Sequence, residues 1–205
     1  MNYKKLLLLS VFTIALVFYS LAQVKIGVKG GLNMAVLSGT VNMNPTFKPG
    51  LNVGLISELK ESERVAIQAE LYFSMMGAKI DYEPFASGET KTSLNYLSVP
   101  VVGKIYLSKF FNLQLGPEVG ILLSARDKGE IDGDEVNEDL KSIFKKTDVG
   151  ISFGIGIEPT ENFQITSRIN YGVADISLAS KTIAGGIQRP NLNNRAIQIS
   201  LGYFF

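Results

Sequence analysis

The 205-residue chain contains no cysteine, no histidine and no tryptophan. Without cysteine it can form no disulfide and carry no lipid-modified N-terminal cysteine. Without cysteine and histidine it can hold no Cys/His zinc site, no Ser–His–Asp triad and no Cys–His nucleophile. The 20 basic and 19 acidic residues nearly balance and are scattered, so nothing indicates a nucleic-acid partner. These absences remove several classes of enzyme and leave no cofactor to expect.

The first 22 residues have the composition of a secretory signal peptide. Lys4 and Lys5 form a positive start, residues 6–21 are apolar apart from hydroxyl residues, and Ser20, Leu21 and Ala22 form a small-x-small cleavage site. An N-terminal membrane anchor is the alternative, but the apolar run is shorter than the roughly 20 residues that a spanning helix needs. We therefore predict export through the Sec pathway, cleavage after residue 22, and one domain over residues 23–205.

Beyond residue 22 the recurring pattern is the alternation of apolar and polar residues that is typical of β-strands. In one segment Val149, Ile151 and Phe153 alternate with Gly150 and Ser152. The segments have about the length of a tilted membrane-crossing strand, roughly 9–11 residues or slightly more, and exceed the usual strand length of soluble sheets. The predicted strands are 24–33, 50–59, 64–74, 95–107, 112–124, 147–158, 163–174 and 195–205.

Short and long connections alternate strictly along the chain. The short ones are 60–63, 108–111 and 159–162, and the long ones are 34–49, 75–94, 125–146 and 175–194. This order places every long connection at one end of the sheet, as in outer-membrane barrels with short periplasmic turns and long external loops. An even number of strands lets the first pair with the last and leaves no free edge. The pattern predicts an all-β fold, an eight-stranded antiparallel up-and-down transmembrane β-barrel.

One face of nearly every predicted strand is bulky and apolar, and the other carries glycine, amide, hydroxyl and charged residues. A narrow barrel needs small residues inside, so we expect the glycine-rich face to line the lumen and the apolar face to contact lipid. A soluble barrel would reverse the faces and put the glycine-rich face in water, which gives no reason for its composition. Two aromatic belts are expected at the membrane interfaces. They comprise Phe110, Phe111, Phe163, Tyr203 and Phe205 at the short-turn end, and Tyr72, Phe73, Tyr96 and Tyr171 toward the long loops.

Several stretches of the chain carry a family pattern. They include GVKGGLN at 27–33, QAELYFSMMGAK at 68–79, LNYLSVPVVGK at 94–104, LGPEVGILLSA at 115–125 and NRAIQISLGYFF at 194–205. Together they resemble the small outer-membrane β-barrel proteins of Bacteroidetes, the porin family or PorT-like group. The resemblance implies a location in the outer membrane of a Gram-negative bacterium. It also implies that Tyr203 and Phe205 belong to the C-terminal signal that the barrel-assembly machinery recognises.

Five charged residues on the predicted inward face form a candidate lumen charge cluster, namely Lys29, Glu70, Lys104, Glu118 and Arg168. The interior of an eight-stranded barrel is just wide enough for side chains, so charges there must pair. Two interpretations follow: a narrow ion path, or a salt-bridged plug that holds the barrel shut.

Residues 130–139 contain six carboxylates in a predicted loop. A site for a hard cation is one interpretation, because such cations take several oxygen ligands, but the spacing is not that of an EF-hand. A solvated, mobile acidic loop is the other. No residue is assigned as a metal ligand.

The absence of histidine also disfavours an enzyme, since barrel hydrolases and acyltransferases of the outer membrane depend on that residue. We expect a non-enzymatic integral barrel whose four long external loops, or whose periplasmic rim, contact a protein partner. A small-solute or ion porin, and a PorT-like component of a type IX secretion or gliding apparatus, are the alternatives that the resemblance implies. Outer-membrane lipid and, during biogenesis, the barrel-assembly machinery are the other expected partners.

Overall fold

A computed structural model describes residues 24–39, 44–81, 88–178, 181–183, 186–188 and 191–205. The predicted signal peptide, residues 1–22, lies outside these ranges. Within them, no helix has the length and apolar character that crossing a membrane requires. The described chain is β-structure with turns and a short 3₁₀-helix at Lys141–Ile143.

The strands are numbered in chain order. They are β1 (Val24–Gly39), β2 (Asn44–Thr46), β3 (Lys48–Lys60), β4 (Val65–Asp81), β5 (Gly88–Tyr106), β6 (Phe111–Ile131), β7 (Asp134–Asp139), β8 (Thr147–Ile157), β9 (Phe163–Gly172), β10 (Lys181–Ile183), β11 (Gly186–Gln188) and β12 (Leu192–Phe204).

Eight long strands close into a ring in the order β1–β3–β4–β5–β6–β8–β9–β12, with every neighbouring pair antiparallel. The ring closes where β1 pairs with β12, from Gly27 opposite Phe204 to Gly39 opposite Leu192. This arrangement confirms the predicted eight-stranded antiparallel up-and-down barrel. The end of the ring with the long connections is called the external end below, and the opposite one the short-turn end.

The outward face is apolar across the middle of the barrel. On β12, Ile197, Ile199 and Leu201 are exposed and alternate with the buried Gln198 and Ser200. An exposed apolar band of this extent has the character of a surface that contacts lipid, because soluble proteins rarely expose large contiguous apolar patches.

The aromatic residues fit the two predicted belts only in part. Phe110 and Phe205 are exposed at the short-turn end, and Tyr171 is exposed nearer the external end. Tyr72 and Tyr96 point into the lumen and are only 1% and 2% exposed, so their predicted place in a lipid-facing belt is wrong. Both stand at inward positions of their strands, where the phenol hydroxyl finds hydrogen-bond partners.

Three of the four predicted long loops are in large part strand. β4 runs to Asp81, β5 begins at Gly88 and β6 runs to Ile131, all well beyond the predicted ends. The short strands β2 and β7 pair with β4 and β6, so the sheet β2–β4–β5–β6–β7 continues past the external rim of the barrel. The predicted boundaries were wrong because apolar–polar alternation marks a strand only where one of its faces is apolar.

The acidic segment 130–139 is a hairpin and not a free loop. β6 and β7 pair around Asp132 and Gly133, whose φ angles are 51° and 90°. Two central residues with positive φ are typical of a type I′ hairpin turn, for which Asp-Gly is a preferred sequence. The Asp132-Gly133 dipeptide could therefore have indicated this turn from the sequence alone. In the described part of the chain, no group of three or more carboxylates is placed to hold a metal ion.

An apolar cluster fills the external end of the lumen. Its buried members include Leu37, Met76, Leu94, Leu122, Phe144 and Ile176. Phe144 and Ile176 come from the connections that follow β7 and β9, and Phe144 forms an isolated β-bridge with Ser177. The barrel is thus capped by its own connections.

Candidate functional site in the lumen

Apart from Lys48, whose ammonium donates to Met76 O at 3.2 Å, the charged side chains of the lumen fall into three groups. The short-turn cluster consists of Glu58, Lys104 and Glu158, the central cluster consists of Lys29, Glu70 and Arg168, and the external cavity is bordered by Glu118 and Asp148. All of these residues except Asp148 and Glu158 are fully buried by the barrel wall and by each other.

The short-turn cluster is organised around Lys104 on β5. Its ammonium pairs with the carboxylate of Glu58 on β3 and lies 2.9 Å from Glu158 Oε1 beside the end of β8. It also donates to Gln164 Oε1 at 3.0 Å, and its Nζ lies 5.8 Å from the centroid of the buried Phe204 ring. The ammonium is therefore enclosed by three acceptors and an aromatic face, and it occupies the lumen near the short-turn mouth.

The central cluster is organised around Glu70 on β4. Its Oε2 lies 2.7 Å from Lys29 Nζ, and its Oε1 forms an ion pair at 2.7 Å with Arg168 Nη2 from the opposite wall. Amide side chains complete the layer, since Lys29 donates to Gln198 and Arg168 Nε donates to Gln114 at 2.6 Å. The three charged side chains are 1–3% exposed. A charge this deeply buried is tolerated only with such partners.

Glu118 on β6 lies apart from the basic residues. Its two carboxylate oxygens accept hydrogen bonds from the Tyr72 hydroxyl at 2.9 Å and the Ser152 hydroxyl at 3.0 Å. Among the described residues, no cation lies within ion-pair distance of this carboxylate. Hydroxyl groups rather than an ion pair therefore hold Glu118.

The five residues of the predicted charge cluster thus occupy three places in the lumen. Lys29, Glu70 and Arg168 are brought together, Lys104 lies nearer the short-turn end, and Glu118 lies toward the external end.

Sequence reasoning missed the partners that complete these groups. Glu158 closes the cage around Lys104, although it was visible as the inward residue two positions after Gly156. The buried amides Gln114 and Gln198 carry no charge, and only their inward positions could have indicated them. Asn194, which donates to Asp148 Oδ2 at 2.7 Å, lay at the edge of a predicted loop and gave no signal of its own.

A larger cavity lies at the external end, beside the apolar cap. It has a volume of about 270 Å³ and is lined by apolar side chains that include Leu37, Ala78, Phe144 and Leu192. The polar side chains in its lining are those of Thr92 and Asp127, and the Thr92 hydroxyl donates to Asp127 Oδ1 at 3.1 Å. This space is separate from the ion-paired layers, and its lining is suited to apolar groups.

The C-terminal residues are fixed in the wall of the barrel. Tyr203 and Phe205 face outward, with ring centroids 6.0 Å apart, and Phe205 is 76% exposed. The Phe205 amide donates to Ile26 O at 2.9 Å, and Asn162 Nδ2 donates to Phe204 O at 2.9 Å. The predicted assembly-signal residues therefore lie on the outer surface at the short-turn end.

Comparison with known proteins gives a family and a fold. The family described as "Outer membrane protein beta-barrel domain" matches residues 20–178. No curated protein matches the sequence.

Solved structures with a similar fold are outer-membrane and surface proteins. Neisserial surface protein A is 10% identical, with 88% of this chain and 97% of that chain covered and a TM-score of 0.51. Ail, the attachment invasion locus protein of Yersinia pestis, solved in complex with the heparin analogue sucrose octasulfate, is 15% identical, with coverage of 89% and 99% and a TM-score of 0.49. OprG from Pseudomonas aeruginosa is 13% identical, with coverage of 88% and 95% and a TM-score of 0.44.

At these identities the likeness to solved structures concerns the fold alone. The family match extends over most of the chain. The family is one of outer-membrane proteins, which agrees with the exposed apolar outer face of the barrel. The chain belongs to the outer-membrane protein β-barrel domain family, and it is an outer-membrane β-barrel protein.

Proposed function

We propose that this protein is a closed, non-enzymatic barrel that presents its external strands and loops to a protein partner. The central cluster carries the proposal: Glu70 bridges Lys29 from one wall and Arg168 from another across the lumen. Since an eight-stranded barrel has room inside only for side chains, an ion-paired layer that joins opposite walls in this way acts as a plug.

The other two levels of the lumen support the same conclusion. Lys104 is held by two carboxylates near the short-turn mouth, and the buried ring of Phe204 lies beside it. The apolar cap fills the external end. An ion that crossed would have to displace side chains at three levels, namely the two ion-paired layers and the apolar cap.

The external sheet is the surface best suited to a partner. Strands β2, β4, β5, β6 and β7 form a continuous sheet beyond the barrel rim, with β7 as an exposed and strongly acidic edge. Sheets and loops held by a rigid scaffold are common recognition surfaces. The periplasmic rim is the second possible contact, with a recess of about 400 Å³ lined by residues that include Lys25, Lys60, Lys109 and Glu161.

A small-solute or ion porin is the alternative function. The observation in its favour is the space that remains at the external end, where cavities border Glu118 and the apolar cap. This alternative requires the two ion-paired layers to open. It predicts a conducting lumen whose ion selectivity changes in Glu118→Gln or Lys104→Met.

Single-channel recording of the refolded protein in planar bilayers separates the two functions. A heat-dependent shift in gel mobility confirms folding in each preparation. The closed-barrel proposal predicts that folded protein is silent. Steady, ion-selective steps from folded protein, altered by Lys104→Met, would overturn it in favour of the porin.

The biogenesis and cellular role are a further part of the proposal. Residues 1–22 direct export through the Sec pathway, and Tyr203 on β12 and Phe205 just after it present the C-terminal assembly signal on the outer surface. The sequence resemblance supports a member of the PorT-like group of Bacteroidetes, whose PorT branch is linked to type IX secretion. Deletion of the gene should then block export of type IX cargo, and unchanged export would exclude this role.

A further inference from the structure

The cavity of about 270 Å³ beside the apolar cap takes no part in the ion-paired layers. Its walls come from the external ends of β1, β4, β5, β6 and β12, and its lining includes Leu37, Ala78, Ile80 and Leu192. An engineered apolar cavity of about 150 Å³ in another protein admits benzene. The space in this barrel is therefore large enough for a small organic molecule.

The connection between β7 and β8 supplies another wall of the cavity. Leu140, Ile143 and Phe144 line the cavity from this connection. Backbone hydrogen bonds hold it in place, since the Leu140 amide donates to Ala125 O at 3.0 Å and the Leu178 amide donates to Ile143 O at 2.8 Å. Ile143 remains 40% exposed, so the space is not sealed from solvent. The cavity is thus formed in advance of any ligand, as is usual for small-molecule sites.

One carboxylate stands in this apolar lining. Asp127 on β6 accepts the Thr92 hydrogen bond through Oδ1, and its Oδ2 has no hydrogen bond or ion pair with any of the described residues. The buried Lys48 lies outside the lining, where it donates to Met76 O. The free oxygen of Asp127 is therefore available to a ligand.

The strand beside Asp127 adds negative charge. Glu138 on β7 stands directly opposite Asp127 in the β6–β7 register. Residues in this relation have Cβ atoms about 4.5–5.5 Å apart, and like charges there repel each other. In the described part of the chain, neither carboxylate has an ion pair with a lysine or an arginine. A cationic group at the cavity would relieve this repulsion.

We propose that the cavity binds a small organic amine, with its hydrocarbon body against Leu37, Ala78 and Phe144 and its ammonium group on Asp127 Oδ2. Burial of hydrocarbon supplies affinity, and the hydrogen bond between two charged groups supplies orientation and selectivity. A neutral molecule of the same shape would gain the apolar contacts alone, and an acid would be repelled by both carboxylates. Binding requires no passage through the lumen, so the proposal is independent of whether the barrel conducts.

An NMR titration of the refolded protein in lipid nanodiscs tests this site. The probes are 2-phenylethylamine, 2-phenylethanol and 3-phenylpropanoate, which share a phenyl ring on a short chain and differ in charge. The protein carries ¹³C-labelled isoleucine methyl groups. Ile80 lines the cavity, whereas Ile197 and Ile199 lie on the lipid-facing surface and report on probe that dissolves in the bilayer. A saturable shift of the Ile80 signal, absent from the two lipid-facing signals, measures binding in the cavity.

The expected result is a saturable Ile80 shift with 2-phenylethylamine and none with 3-phenylpropanoate. The alcohol should bind about tenfold more weakly than the amine, because it lacks the charged hydrogen bond. Asp127→Asn should weaken binding of the amine by about tenfold or more and remove its advantage over the alcohol. Ala78→Leu should abolish binding of both, because the larger side chain fills part of the cavity.

The matched control is Asp134→Asn, which makes the same change on the exposed β6–β7 hairpin and should leave every affinity unchanged. A heat-dependent gel shift confirms folding of each variant, and Asp127→Asn carries the test if Ala78→Leu does not fold. The proposal is overturned if no probe gives a saturable Ile80 shift in folded wild-type protein. It is equally overturned if the alcohol or the acid binds as tightly as the amine, or if Asp127→Asn binds the amine as tightly as the wild type does.

Discussion

Glu70 is the residue on which the central cluster depends, because it is the shared partner of two buried cations. We predict that Glu70→Gln lowers the free energy of unfolding by about 3–5 kcal/mol, the usual cost of removing one member of a buried ion pair. Lys29 and Arg168 would then face each other without a carboxylate between them. Urea-induced unfolding in lipid vesicles measures the change.

Glu135→Gln is the control for this prediction, because Glu135 is exposed on β7. Its effect should stay within about 0.5 kcal/mol, as is usual for a surface substitution. Equal unfolding midpoints for Glu70→Gln and Glu135→Gln would show that the ion-paired layer does not stabilise the barrel.

Asp175 is the residue that fastens the external connection after β9. Partial burial acts to raise its pKa, but hydrogen bonds from the backbone N–H groups of Leu192 and Ser177 and from the Lys145 ammonium together hold the pKa below its ordinary value. Because the folded-state pKa is lowered, these contacts contribute stability above the unfolded-state pKa of about 3.9. The contribution is lost as pH falls through the folded-state pKa.

The direction of the Asp175 pKa shift can be measured by NMR titration of its carboxyl group in the folded protein. We predict a pKa below the ordinary aspartate value, which moves upward in Lys145→Met because one source of positive charge is removed. A pKa at or above the ordinary value would mean that burial outweighs the hydrogen bonds.

At the scale of single elements, the β6–β7 hairpin depends on its turn. Gly133 has a φ of 90°, a conformation that L-residues with a Cβ adopt at a cost of about 1–2 kcal/mol. Gly133→Val should therefore increase amide hydrogen exchange along β7 by about tenfold without changing the unfolding temperature of the barrel. Gly133→Asn is the control, since asparagine tolerates positive φ. A loss of barrel stability in Gly133→Val would show that the hairpin is part of the folding core.

The elements that the sequence predicted well are those whose two faces differ. On β8 and β12 an apolar face meets lipid and a small polar face meets the lumen, so alternation located both strands to within three residues at each end. The external half of β6 carries Arg126, Asp127, Lys128 and Glu130, and its strand character comes from pairing with β5 and β7. Pairing across a sheet leaves no periodic trace in one sequence, and this is why the external strands were predicted as loops.

At the scale of the whole molecule, the alternation of apolar and polar residues and the loop lengths predicted the number of strands and the closure of the barrel. They did not predict which side chains contact each other inside it. Lys29 lies opposite Gly54 on β3 and reaches past it to Glu70 on β4. Which inward charges meet depends on the stagger between strands and on the small residues that give a long side chain room. We expected every charge inside the barrel to pair with an opposite charge. The Glu118 carboxylate instead accepts hydrogen bonds from the Tyr72 and Ser152 hydroxyls.

The pairing of β1 with β12, which closes the ring, can be tested by substituting two neighbouring glycines of β1. A Cβ on Gly31 would lie 2.2 Å from Ile199 O of β12, whereas the nearest atom to a Cβ on the lipid-facing Gly30 is Asn52 O at 3.9 Å. Gly31→Val should prevent β1 from pairing with β12, and the protein should lose its heat-dependent gel shift and become sensitive to protease. Gly30→Val adds the same volume to the same strand one residue away, and it should fold normally. Because the two variants differ only in the face that carries the new side chain, equal folding yields would mean that the seam does not close as tightly as the β1–β12 register requires.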